Sequence, residues 1–167
     1  MPQAEAEVEI AAPIELVWRI MLDLEGYAAW NPFIVRIDAP RPGRAEVGDD
    51  LGLHVRWRSG LRVRTRERIT RLEPPRAVGS RREALLEYEF RGPVAALGLV
   101  RGRRLQTLEQ LAGGPTRYRT HERLHGALAA LVPASAVRDG FERHAAALAA
   151  HAEGLARTAP GGARGQL

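Results

Sequence analysis

Apolar and polar positions alternate from Ala4 to Ala11, with Ala4, Ala6, Val8 and Ile10 on one side and Glu5, Glu7 and Glu9 on the other, which predicts a half-buried strand. The period then changes. Ile14, Val17, Trp18, Met21 and Leu22 recur at helical spacing behind Pro13, whose missing N–H would lack a partner in a first helical turn anyway, and Gly26 ends the run. A short aromatic turn at Tyr27 to Trp30 follows. Asn31-Pro32 then biases the chain to extended backbone, and Phe33, Val35 and Ile37 share one face of a second strand that ends by Pro40.

Stronger alternation follows. Leu51, Leu53, Val55 and Trp57 interleave with Gly52, His54, Arg56 and Arg58, and Ser59-Gly60 reads as a hairpin turn. The next strand, Arg62–Leu72, sets Val63, Thr65, Glu67 and Ile69 against an outer row of Arg62, Arg64, Arg66 and Arg68. Glu73-Pro74-Pro75 predicts a turn, and Ala77–Glu83 a fifth strand in which Val78 carries Ser80 and Arg82 into its register. Leu85 to Phe90 could extend that strand, whereas Gly92-Pro93 and Val94 to Val100 read as a mobile flap. Arg103–Leu111 and Thr116–His125 form a last hairpin around Gly113-Gly114-Pro115. From Ser135, a suitable N-cap, a helix runs to about Arg157 with Val137, Phe141, Ala145, Leu148, Ala152 and Leu155 as its buried stripe.

These elements predict an α+β fold: a curved antiparallel sheet wrapped around a long C-terminal helix, with two short helices after the first strand plugging one end. One domain spans residues 1–157, and 158–167, with Pro160-Gly161-Gly162, reads as a flexible tail. Strand parity also sends polar side chains inward. Glu67 and Arg82 share faces with apolar neighbours, and Tyr118, Thr120, Glu122 and Leu124 share one face of the last strand. For Arg103–Leu111 raw apolarity favours Leu105 and Leu111 as the inner residues, leaving the direction of Arg104 open. Buried charges are costly unless paired or solvated. They therefore imply a wet cavity, an internal ion-pair set such as Glu67–Arg82 or Glu122–Arg104, or both. His144, beside Phe141, either faces that cavity as a proton carrier or sits on the helix flank bonded to water.

Composition removes several chemistries. The 167 residues contain no cysteine, and all 25 basic residues are arginine, so thiolate chemistry, Schiff bases and a P-loop lysine are excluded. Ser59, Ser80 and Ser135 are the only serines, none of them in a nucleophile elbow. On a strand His121 and His125 lie roughly 13 Å apart, too far to share a metal ion, so neither metal nor cofactor is expected. No apolar run approaches the roughly 18 residues of a membrane span, and the acidic start is unlike a secretory leader; a cytoplasmic location is expected. The net charge of +5 gathers on an outer face of Arg56, Arg58, Arg62, Arg64, Arg66, Arg68, Arg117, Arg119 and Arg123, with His54, His121 and His125. That face could grip anionic lipid, an acyl carrier protein or nucleic acid, or be a solvated surface. The scarcity of exposed aromatics argues against nucleic acid.

Ala12-Pro13…Val17-Trp18, Asp23-Leu24…Tyr27…Trp30-Asn31-Pro32-Phe33, Leu72-Glu73-Pro74-Pro75 and Thr116-Arg117-Tyr118…Glu122-Arg123…Gly126 together resemble the START-like superfamily, which includes the polyketide cyclase/dehydrase and lipid-transport proteins. The likeness covers residues 4 to 157, departs around Ala84–Val100, and implies a helix-grip fold around a hydrophobic cavity. Matching the superfamily's alternation would send Arg104, Gln106 and Leu108 inward. It implies a cavity-bound polyketide, polycyclic aromatic product or lipid. The chain would act as a carrier or self-resistance protein in bacterial secondary metabolism, as a cyclase or aromatase, or as a basic partner-binding module. For catalysis the resemblance implies Arg82, Tyr118, Glu122 and His144. The candidate ligand-binding residues are Trp30, Asn31, Phe33, Leu53, Val55, Trp57, Glu67, Arg82, Arg104, Tyr118, Thr120, Glu122, Phe141, His144 and Leu148. A hydrophobic small molecule is the expected partner, an acyl carrier protein a second, and oligomeric state stays open. Glu67→Ala or Glu122→Ala is expected to alter ligand binding more than thermal stability.

Overall fold

Among the described residues, seven strands pair antiparallel into one sheet in the order β1-β7-β6-β5-β4-β3-β2. They are β1 (Gln3–Ile10), β2 (Ile34–Asp38), β3 (Asp50–Arg56), β4 (Arg62–Val78), β5 (Arg81–Arg91), β6 (Arg101–Leu111) and β7 (Thr116–His125). The computed structural model describes residues 3–43 and 45–158, apart from the side chain of Val94; the expected tail lies, beyond Thr158, outside the described residues. Between β1 and β2 come α1 (Ile14–Leu22) and α2 (Tyr27–Trp30), between β5 and β6 the single turn α3 (Pro93–Ala96), and at the end α4 (Ala134–Thr158).

The concave face carries the alternate apolar residues foreseen for β1, β3 and β7, and α4 covers it. Val137, Phe141, Ala145, Leu148 and Ala152 are buried in the helix stripe, as expected, joined by Gly140, His144 and Ala149. Leu155 falls outside that stripe at 42% exposure. Ser135 lies inside the first turn rather than capping it. The corner from β1 into α1 is pinned by polar groups that would otherwise be orphaned at a helix start. Gln110 Oε1 accepts from the Ile14 amide at 3.1 Å, Thr116 Oγ1 donates to the Ala12 carbonyl at 2.7 Å, and Glu153 Oε1 accepts from the Ala11 amide at 3.0 Å.

Two stretches depart from the expected pattern. Glu73-Pro74-Pro75 is no turn: β4 runs 17 residues through it, and the pairing with β5 shifts register between Glu73 and Arg76. Prolines have no N–H for a ladder, but a bulge excuses them from pairing and bends the strand. The turn falls instead at Gly79, whose φ of 61° suits glycine, so β5 begins at Arg81 and not at Ala77. In β2 a register shift between Ile34 and Arg36 turns Ile34 and Ile37 inward and leaves Val35 half-buried, where strict alternation had Phe33, Val35 and Ile37 together.

Gly140 decides how closely α4 approaches the sheet. A Cβ there would lie 2.3 Å from Phe33 Cε2. Gly140→Ala gains up to about 1 kcal/mol of helix propensity, but the clash costs about 1–3 kcal/mol. A Tm lowered by a few degrees is expected in thermal unfolding; a raised Tm would show that Phe33 does not hold the helix at this distance.

Candidate functional site

Beneath the first half of α4 the interior is not filled. A cavity of about 170 Å³ lies between the concave sheet and the helix, walled by Phe33, Ile34, Leu53, Val55, Trp57, Phe90, Val100, Leu124, Val132, Val137 and Phe141. Four polar residues enter that wall: Thr65 and Glu67 from β4, Arg104 from β6 and Glu122 from β7. Their strands place them there by parity. Ile69 and Glu67 share a face of β4, and Arg104 stands directly opposite Glu122 across the β6–β7 ladder. The inward choice for β6 is thus the one carrying Arg104, Gln106 and Leu108, all buried, with Leu111 63% exposed.

Arg104 is 4% exposed. Its Nε donates to Thr120 Oγ1 at 3.0 Å and its Nη2 reaches Gln106 Oε1 at 3.5 Å, while the guanidinium lies 4.4 Å from the centre of the Phe141 ring. Burial works against its charge, but Tyr118, Glu67, Tyr27 and Glu122 around it hold the proton more firmly than usual. Glu67 and Glu122 are half-buried. Loss of water raises the Glu67 carboxyl, with Arg104 and the Thr65 hydroxyl pulling the other way. For Glu122, loss of water and the neighbouring Glu67 outweigh Arg104 and push the carboxyl up to about 7. Among the described residues neither glutamate forms a direct ion pair with Arg104; the three charges act across the cavity.

Behind Arg104 runs a dry polar layer. Tyr118 donates to Gln106 Oε1 at 2.6 Å, and both are at most 1% exposed. Farther along α4, His144 is fully buried rather than on the helix flank. Asn31 explains how it is held. Asn31 Oδ1 accepts from the Phe33 and Ile34 amides at 3.0 and 2.9 Å, so its amide nitrogen must donate to His144 Nδ1, at 2.7 Å. The imidazole proton therefore sits on Nε2, which has no partner among the described residues. Burial, helped by Arg104, keeps the ring neutral far below its usual midpoint.

Of the residues singled out from sequence, Phe33, Leu53, Val55, Trp57, Glu67, Arg104, Glu122 and Phe141 line the cavity. Thr120 and Tyr118 support its polar wall through Arg104 and Gln106. Trp30, Asn31, His144 and Leu148 belong to the packed part of the interior; Trp30 stacks on His151 with ring centres 5.9 Å apart. Arg82 is a correction. With β5 starting at Arg81, it lies at the end of the sheet and pairs with Glu15 of α1 instead of Glu67. Sequence reading missed Ile34, Thr65, Phe90, Val100, Leu124, Val132 and Val137 as cavity wall. The parity of Thr65 and Leu124 was visible, whereas Ile34 needed the β2 bulge and Val100 and Val132 come from irregular chain.

The sequence matches the family of polyketide cyclase/dehydrase and lipid transport proteins over residues 1–153. No curated protein matches it. Among solved structures, a Streptomyces aromatase/cyclase superposes with a TM-score of 0.74 at 18% identity, over 95% of this chain and 98% of its own. A protein from Chromobacterium violaceum gives 0.65 at 21%, over 91% and 97%. A START superfamily protein from Mycobacterium smegmatis gives 0.61 at 19%, over 93% and 97%. At these identities the structures share the fold.

The raised Glu122 has a measurable consequence. Its carboxyl ionises near 4.5 when unfolded but near 7 when folded. The native state thus binds the extra proton, and Glu122 costs stability as pH rises between those values, by about 1–3 kcal/mol when fully ionised. Glu122→Gln is expected to have a Tm that gains on the wild type from about pH 5 to about pH 8. A constant difference across that range would place Glu122 in ordinary solvent.

Proposed function

Because this chain belongs to the polyketide cyclase/dehydrase and lipid transport family, we propose that it binds a hydrophobic small molecule in the cavity under α4. The carrying observation is a wall of aromatic and aliphatic side chains around a hollow that a close-packed interior would have filled. Apolar cavities of roughly 150 Å³ accept a benzene-sized guest, so about 170 Å³ suits one ring or a short chain as it stands. A polycyclic guest needs the wall to part. The segments able to do so are Leu97–Val100 and Leu128–Val132, joined by the Leu128 amide donating to the Leu99 carbonyl at 2.7 Å. Beside the wall residues Val100 and Val132, Leu97 and Leu131 remain 73% and 76% exposed, which suits the rim of an entrance.

Binding without turnover is the reading we favour. His144 and Tyr118 are sealed within the packed layer and Arg82 is outside, so of the four catalytic candidates only Glu122 reaches the cavity. A carrier or sequestering protein of secondary metabolism needs no more than that. Cyclisation is the second reading, supported by Glu122 and Arg104 side by side on the wall, where an acid and a guanidinium could polarise a carbonyl. A substrate tethered to an acyl carrier protein would then meet the arginine-rich outer face. Part of that face is already neutralised, Arg117 by Glu7 and Glu9, and Arg119 by Glu5 and Glu7.

Tryptophan fluorescence tests the site, since Trp57 lines it. Naphthalene-type aromatics are expected to quench, and Val100→Trp, which fills the cavity, to weaken binding at least about tenfold with little change in Tm. Undiminished binding in that variant would move the ligand elsewhere. Product formation from a poly-β-keto thioester, followed by mass spectrometry, would favour the cyclase reading over the carrier.

A further inference from the structure

The charges in the cavity wall do not balance. Among the described residues, Glu67 and Glu122 supply acid and Arg104 alone supplies base. Arg104 is moreover already engaged, by Thr120, by Gln106 and by the face of Phe141. An anionic guest would meet both carboxylates for one occupied guanidinium. A neutral guest would leave Glu122 to take up a proton. A cation alone lets both carboxylates stay ionised.

Resting on the binding role argued above, we propose that the ligand carries a protonated amine, seated between Glu67 and Glu122 with its apolar part against Phe33, Trp57 and Phe90. The aromatic wall favours the same charge, because ring faces attract ammonium groups most where water is thin. No covalent step is involved: the amine arrives protonated, and Glu122, where it holds a proton, releases it to solvent.

The neighbourhood of Glu122 makes this a pH-dependent event. Glu67 faces it from β4 and Arg104 from β6, with Tyr88 of β5 and Tyr118 of its own strand beyond them. α4 brings only the uncharged Val137 and Phe141 to the cavity, His144 being neutral and outside the wall, and the β5–β6 connection brings Val100. Of the described residues on the wall, only Glu67, whose own carboxyl is raised, competes for that proton. Since Glu122 titrates near 7 when the site is empty, amine affinity rises with pH through that value.

Calorimetric titration of the full chain with 2-phenylethylamine, 2-phenylethanol and phenylacetate, one-ring probes alike in size, separates the possibilities. The amine is expected to bind best, tightening roughly tenfold from about pH 6 to about pH 8 with proton release, while the alcohol does not tighten and phenylacetate is weakest. Glu122→Gln should abolish the pH dependence, and Glu67→Gln should erase most of the preference for amine over alcohol. The wild-type pH series stands even if a variant fails to fold. An alcohol that equals the amine at the higher pH, or an amine affinity that is flat or falls, overturns the amine and leaves the binding role intact. Should none of the three probes nor the naphthalene-type aromatics bind, the binding role falls and the amine with it.

Discussion

A sheet that turns a guanidinium and two carboxylates toward its own cover cannot close down on them. Packing aliphatic side chains over Arg104, Glu67 and Glu122 would strip water from charges at several kcal/mol each. The hollow beneath Val137 and Phe141 lessens that cost for the glutamates without removing it: both keep part of their surface accessible, while loss of water still raises their carboxyls. Arg104 is dry but satisfied, by Thr120, Gln106 and the Phe141 ring. Charge thus sets where the interior is open.

The other half of the interior shows the alternative. From His144 to Ala152 the helix lies on a filled core that includes Leu148 and Ala152, each with no exposed surface. Its polar groups are resolved by geometry instead of water. Asn31 uses its carbonyl oxygen on two backbone amides and its amide nitrogen on His144, holding the α2–β2 junction to α4. Gly140 marks the border, since it admits Phe33 to the helix backbone and so sets one wall of the hollow. One residue type at one position therefore links helix approach, cavity shape and ligand contact.

Much of this was legible in the sequence, because strand parity and helical period are local. Alternation in β3, β4 and β7 placed Leu53, Val55, Glu67 and Glu122 on the concave side, where they line the cavity. The failures share a cause. Pro74-Pro75 reads as a turn in isolation, and only the pairing partner shows that a bulge absorbs it. That slip moved the start of β5 and carried Arg82 into an interior it does not enter. For His144 the sequence offered the cavity or the helix flank, and it occupies neither, because its partner, Asn31, is 113 positions away in the chain. In β6 raw apolarity favoured Leu105 and Leu111, and only the superfamily's alternation pointed to Arg104, because burying an arginine is justified by Gln106 on its own strand and by Thr120 and Phe141 on β7 and α4.

Carbon-13 NMR of the glutamate side-chain carboxyls, followed across pH in the ligand-free protein, reaches this constraint most directly. If the cavity holds two acids against one engaged base, the Glu122 resonance titrates with a midpoint about 7 and that of Glu67 lies above the ordinary 4.5. Both resonances titrating at the ordinary value would contradict the account, because it would mean that the two carboxylates stand in open water and that no charged hollow lies beneath α4.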